Sequence, residues 1–311
     1  MIAHLKGREK ALEAFGWTSR EAEWIALVCL HSGVFTRDQI SDWLRIDRFK
    51  SLRFVQDATE RRLAAEDTHD GRKVCRICGR AVYRALGAED IRHRRIASPE
   101  VLLRRLLSLD YVMGHAGKAW LPTEPEKVAA FEEIGIDRRI LPVRVYQGAG
   151  GNTRRYFPLK LPVALDAGRA VFVYADPGHE TAAGLHSWGR AHRELWAALQ
   201  KRSRPVEAVA VVRTDREFER AEKVLGNWTD PARSPSRSRA SATGREIRRE
   251  IERIEQGIRD RNASVIEEHG SLRGCLARLA ELRAALPTAP SEAMIDGFTV
   301  WRSARLSGGL F

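Results

Sequence analysis

Residues 171–184 read VFVYADPGHETAAG. An apolar run ends on Asp176, a Pro-Gly turn follows, and His179 and Glu180 stand where a helix should begin. Carboxylates at the C-terminal end of a buried strand suit a divalent metal that activates water against a phosphodiester. A metal-dependent endonuclease or nickase built here would use Asp166, Asp176 and Glu180 with Mg²⁺. The same residues also fit an ordinary helix start, with Asp176 and Thr181 as caps and Pro177-Gly178 as the turn. Capping is the preferred reading, so no catalytic residue, metal ligand or cofactor is assigned. His186 and His192, six apart, fall on different faces of one helix. Trp188, His192 and Trp196 follow i, i+4, i+8 spacing and predict a core-facing stripe.

Other catalytic patterns are missing. GAGGN (148–152) follows a strand but lacks the GK[ST] ending of a phosphate loop, and no G-x-S-x-G occurs. Cys75 and Cys78 make one CxxC, whereas zinc takes four ligands, so packing is the expectation for both.

A second cluster suits recognition rather than catalysis. Arg48, Lys50, Ser51, Arg53 and Gln56 open one helix, with Arg45 just before it, and Arg72, Lys73 and Arg76 follow on a hairpin. Arg and Gln can read guanine and adenine edges, while Lys and Ser more often hold phosphates.

These residues need elements to position them. TSREAEWIALVCLHSG has an N-cap at Thr18 or Ser19, apolar residues at helical spacing and Gly33 as a stop. TRDQISDWL begins a second helix at Thr36, and a third runs from about Asp47 to Ala64. EDTHDGRKVCRICG predicts a two-stranded ribbon around Asp70-Gly71. Three helices and a hairpin make a winged helix-turn-helix, whose third helix enters the major groove. The expected domain spans 1–97.

Residues 98–228 predict a second domain. Two amphipathic helices precede three strand-like runs: ILPVRVYQG, TRRYFPLKLPVAL and RAVFVYAD. A long helix from Thr181 then crosses to EAVAVVRT, and DREFERAEKVL closes the unit. The order α-β-β-β-α-β implies a right-handed helical crossover between the last two strands. Residues 229–244, rich in Ser, Arg and Pro, predict a linker whose Arg233, Arg237 and Arg239 could touch phosphate.

In the last segment, 245–311, apolar residues fall seven apart at Ile251, Ile258, Val265, Leu272, Leu279 and Leu286. Ile247, Ile254 and Leu282 hold the other seam position, which Arg261, Glu268 and Cys275 interrupt. Either two chains pair along this seam as a homodimer, or a break near Asn262 or Gly270 folds it into a hairpin. DGFTVWRSARL predicts one more strand. The fold class is therefore α+β: a winged helix, an αβββαβ domain and a helical C-terminal segment.

The chain has 311 residues, 53 Lys and Arg against 41 Asp and Glu, and a net charge of +12. Such a basic protein suits nucleic acid, because neutralising phosphates releases counterions. An Arg-rich codon bias would give the same composition. No apolar run reaches the ~18 residues of a membrane span, and the N-terminus lacks a secretion signal. With four cysteines and no regular spacing, cytoplasmic location is expected.

A basic winged helix followed by an αβββαβ domain resembles the replication-relaxation family of plasmid and integrative-element proteins, which pair a winged helix with a PD-(D/E)xK nuclease-type domain. Residues 174–181, YADPGHET, are similar to the family's E-x-D-x-G-T-E stretch at the end of the third core strand. LPVAL (161–165) sits where the family has its PD strand. The resemblance covers residues 18–225 and implies a sequence-specific DNA-binding protein of a bacterial mobile element, acting in transcription regulation or in plasmid replication or transfer. The catalytic pattern departs from it: Val163 follows Pro162 where Asp is required, Tyr174 replaces the first acid, and Gly178 stands two residues after Asp176 in place of Lys. Arg190 on the next helix would be the nearest substitute. A metal-dependent nuclease and a protein-interaction adaptor remain the alternatives.

Overall fold

In the computed structural model, residues 2–69, 71–147, 151–166, 168–178, 181–229, 247, 249–258, 260, 262–285 and 294–307 are described. The fold is mixed α and β with several sheets. Two compact units divide it: Met1–Thr229 with Met294–Phe311, and Asp230–Ala293.

Local signals set the first elements. Helix α1 (Ser19–His31) starts on a capping box, in which the Thr18 amide donates to Glu21 at 2.8 Å and the Glu21 amide to Thr18 Oγ1. Strand β1 (Val34–Thr36) leads to helix α2 (Arg37–Leu44), which repeats the device with Thr36 and Gln39. Arg45 ends α2 at φ 54°. Asp47 then caps helix α3 (Arg48–Glu60) by accepting from the Lys50 amide at 2.8 Å. Expected to reach Ala64, α3 stops at Glu60, because Arg62 takes φ 56° and Ala64 already pairs as strand.

Strands β2 (Ala64–His69) and β3 (Arg72–Ile77) form the expected hairpin, with His69 opposite Arg72. Gly71 supplies φ 76° at the turn, and Asp70 lies outside the described residues. Strand β1 pairs with the other edge of β3, giving the order β1-β3-β2. Trp24 and Phe35, both fully buried, meet edge to face at 5.4 Å beneath this sheet. A short helix α4 (Arg80–Ala85) follows.

Helices α5 (Pro99–Gly114) and α6 (Glu124–Glu133) precede the remaining strands. Three strand-like runs were expected before the crossover; the structure divides them differently. Strands β4 (Val143–Tyr146) and β5 (Thr153–Tyr156) form a hairpin of their own. TRRYFPLKLPVAL is not one strand: Phe157 and Lys160 adopt φ 48° and 55°, and Pro158 and Pro162 cannot donate to a ladder. Its second half alone enters the larger sheet, as β6 (Val163–Asp166).

That sheet has the order β6-β7-β8-β9, with β7 (Arg169–Ala175), β8 (Val206–Val212) and β9 (Gly297–Arg302). Strands β6 and β7 are antiparallel; β7, β8 and β9 run parallel. Helix α7 (Thr181–Gln200) joins β7 to β8, and α8 (Asp215–Thr229) follows β8. Both faces are covered, so β7 and β8 read as near-continuous apolar runs. On one face Phe172 and Tyr174 meet Trp188, His192 and Trp196 of α7, the expected core stripe. On the other, Tyr111 of α5 contacts Trp301 of β9 at 5.5 Å.

The terminal strand therefore belongs with the central sheet, beside β8. Immediately after β9, Ser303 Oγ donates to the fully buried Asp110 carboxylate of α5 at 2.6 Å, and Arg305 Nη1 donates to it at 2.9 Å. Arg305 also pairs with Asp42 of α2 and accepts through its carbonyl from Arg72.

In the second unit, helical residues 249–258 and the helices Ala263–Glu268 and Leu272–Ala285 bury Ile251, Ile254, Cys275, Leu279 and Leu282 together. Arg253 with Glu268 and Arg278 with Glu250 add ion pairs between the arms. The heptad seam is not continuous. The breaks at Asn262, which caps the next helix, and at Gly270 (φ 73°) reset the phase, so Cys275 is buried while Leu272 is half exposed. Arg261, Leu286 and the 230–244 stretch with Arg233, Arg237 and Arg239 lie outside the described residues. Among the described residues no helix is long and apolar enough to cross a membrane.

Candidate nucleic-acid interface

Helix α3 is amphipathic, and its phase decides which of its polar residues face outward. Ser51, Phe54, Val55 and Ala58 are buried against the domain. At ~100° per residue the opposite face carries Phe49, Arg53 and Gln56, with Arg48 and Lys50 flanking it on the first turn. Arg45, Arg48, Lys50, Arg53 and Gln56 are all exposed. Lys50 Nζ lies 3.8 Å from Asp47, an exposed pair that leaves the ammonium accessible. Ser51 is placed differently from expectation. It is fully buried and donates from Oγ to the Arg48 carbonyl at 2.9 Å, because its helical phase falls with Phe54 and Ala58.

Sequence reasoning missed Phe49. Its ring is 72% exposed at the centre of the outward face, where an apolar group suits a thymine methyl. The signal was available: Phe49 is out of phase with every buried position of the helix.

The hairpin residues divide. Lys73 is exposed and donates to Thr68 at 2.8 Å. Arg72 and Arg76 turn inward instead, donating to the carbonyls of Arg305 (3.1 Å) and Arg94 (3.0 Å). Both therefore tie the hairpin to the protein body, and Lys73 is the outward cation of the three. Cys75 is buried, and burial pushes its thiol well up; Cys78 is half-buried, and all four cysteines are free.

At the other candidate centre, Asp176 follows the end of β7 and is 1% exposed. Oδ1 accepts from the Gly178 amide at 2.8 Å, while Oδ2 has no hydrogen-bond partner among the described residues. Burial raises its pKa, opposed by the Gly178 amide and Thr181. Gly178, at φ 90°, lies so close to the neighbouring strand end that a Cβ would sit 2.5 Å from Glu217 and 2.6 Å from Arg213. Glu217 is committed as a cap, accepting from the amides of Arg213 (2.8 Å) and Thr214 (3.1 Å), and it pairs with Arg213.

Asp166 is not at this corner. It lies opposite Arg169 at the far end of the β6–β7 hairpin, so seven residues of extended chain, about 23 Å, separate the Asp166 and Asp176 positions. Magnesium needs its oxygens at about 2.1 Å, so the two carboxylates cannot share an ion. Asp166 Oδ1 instead accepts from the Ala119 amide. Arg190 is exposed rather than turned inward. His179 and Glu180 lie outside the described residues. Among the described residues no three His, Cys, Asp or Glu side chains are grouped to hold a metal.

One further buried charge shapes the pH response. Lys127 of α6 is 3% exposed, donates to the Leu161 carbonyl at 2.7 Å and faces the Phe157 ring. Burial lowers its pKa to about 7, against ~10.4 in an unfolded chain. Between those values the unfolded chain binds the extra proton, so stability rises as pH increases from 7 towards 10. Lys127→Met is expected to flatten this rise. Urea midpoints at pH 6 and pH 9 would show the variant gaining on the parent at pH 6; an unchanged pH slope would contradict the assignment.

No family model matches the chain, and neither a curated protein nor a solved structure matches it.

Proposed function

We propose that the chain is a sequence-specific double-stranded DNA-binding protein that docks α3 in the major groove. In this reading residues 18–87 form a winged helix-turn-helix, with α3 as the reading helix and Lys73 on the wing. The observation that carries it is the outward face of α3: Arg53, Gln56 and Phe49 in line, with Arg48 and Lys50 exposed at the leading turn. Helix-turn-helix proteins present the start of their reading helix to base edges in this way.

The central unit then acts as a scaffold similar to a nuclease domain. Among the described residues its strand-end corner offers one carboxylate whose pKa burial raises and one committed to a helix cap. A role in the cytoplasm in transcription regulation, or in the replication or transfer of a mobile element of the replication-relaxation type, suits this combination. Five of the seam residues, Ile251, Ile254, Cys275, Leu279 and Leu282, pack within one chain, so a homodimer on half-sites ~34 Å apart would form through a surface other than these.

Capture of genomic fragments by the purified chain, followed by footprinting, tests the reading. The expected result is one or a few enriched sites and an affinity that falls steeply with salt. Fragments recovered at random, with affinity indifferent to salt, would end it.

A further inference from the structure

Among the described residues the β4–β5 hairpin is paired only with itself; β4 is exposed throughout and β5 in its first half, with Arg155 and Tyr156 half-buried. Its register places Arg144 directly opposite Arg155. Like charges in that position destabilise a strand pair, so folding alone gives no reason for the arrangement. Arg155 comes within 3.8 Å of Glu124, whereas Arg144 and Arg154 have no ion-pair partner among the described residues. Arg144 lies over the Tyr146 ring at 5.3 Å. Val143, Val145 and Tyr146 are each more than 40% exposed.

We propose that this hairpin is a second contact to duplex DNA, separate from α3, in which Arg144, Arg154 and Arg155 meet phosphates. The inference rests on the chain being a DNA binder, but on different residues. By the two-residue period, Arg144 and Arg155 share one face with Tyr146, and Arg154 lies on the other. A two-stranded ribbon fits the major groove, about 12 Å wide. Arginines on both faces would then reach the phosphates of both walls. The planar guanidinium fork suits that ligand, and a polyanion relieves the Arg144–Arg155 repulsion. The base of the ribbon is held in place: the Phe157 amide donates to the Pro142 carbonyl at 2.7 Å and the Tyr156 amide to Glu124 at 2.8 Å.

The test uses the full chain and a short random-sequence duplex, with affinity measured by fluorescence anisotropy across a salt series. Four proteins are compared: the parent, Arg144→Glu/Arg154→Glu, Arg144→Lys/Arg154→Lys, and Arg48→Ala/Lys50→Ala/Arg53→Ala. For the Glu pair, the slope of log affinity against log salt should become shallower by about 2. Its melting midpoint should hold or rise, since a repulsive cross-strand pair becomes attractive. The Lys pair should keep most of the slope, and the α3 variant should retain the part due to the hairpin. A Glu pair that binds with the parent's slope and affinity overturns the hairpin contact alone. So does a Lys pair that loses binding and melting midpoint together, which would mark the arginines as structural. A parent chain with no salt-dependent affinity overturns both the hairpin contact and the α3 reading.

Discussion

Replacing Arg48, Lys50 and Arg53 together by alanine is expected to weaken the chain's hold on its specific DNA site by roughly a hundred-fold or more, since each charge-assisted contact to phosphate or guanine contributes on the order of 1–3 kcal/mol. The three side chains are exposed, and none supports the core. Stability should therefore change by no more than about 0.5 kcal/mol, and a melting curve superimposable on the parent's would separate lost recognition from lost folding. Phe49→Ala adds a finer test. Its ring is solvent-exposed in the unbound chain, so truncation leaves no cavity, and a drop in affinity confined to sites with a thymine would place it against a base. Gel-shift titration of the footprinted site with the triple variant is sufficient: affinity equal to the parent's would remove α3 from the interface and favour an adaptor role.

The second large effect is structural. Asp110→Ala should destabilise the chain by about 3 kcal/mol, the lower end of what breaking a buried charged pair costs. Asp110 is fully buried on α5, and its carboxylate receives both Ser303 Oγ and Arg305 Nη1. Without it, a hydroxyl is left buried and a guanidinium loses one of two carboxylate partners. The estimate sits at the low end because Arg305 is one-third exposed and keeps Asp42. A double-mutant cycle with Arg305→Ala, read from urea midpoints, should give a coupling of about 1–2 kcal/mol. Additive losses would mean that the two residues act independently.

How much of this was legible depended on how locally each feature is encoded. The starts of α1, α2 and α3 are written within four residues, as Thr18 with Glu21, Thr36 with Gln39, and Asp47 with the Lys50 amide. The β2–β3 hairpin is written in its Asp-Gly turn. The burial of Ser51 was also readable, since it shares a helical phase with Phe54 and Ala58. The separation of Asp166 from Asp176 follows from an antiparallel hairpin whose turn sits next to the first acid. Proximity in sequence at a hairpin turn sends two strands' outer residues to opposite ends, and a motif scan does not see that. The partner of β9 was not legible at all. Parallel pairing with β8 depends on contacts across more than eighty intervening residues, and no short pattern in FTVWR specifies them. The inward turn of Arg72 and Arg76 was hidden for a similar reason: their acceptors are carbonyls at Arg305 and Arg94, remote from the hairpin.

That late pairing partner has a consequence for the order in which the protein can be made. The second unit lies in sequence between α8 and β9, and the chain returns to within one hydrogen bond of where it left, from the Met294 amide to the Trp228 carbonyl at 2.8 Å. On the ribosome, β6, β7 and β8 are complete long before β9 exists. At ~5–20 residues per second, the outer edge of β8 waits on the order of ten seconds for its neighbour, and α5 waits about twice as long for Ser303 and Arg305. During that interval the growing chain carries an unsatisfied parallel edge of Val and Ala, the kind of surface that recruits chaperones or foreign strands. Synthesis speed through residues 230–293 thus sets how long that edge stays open, although among the described residues none of that segment contributes to the central sheet.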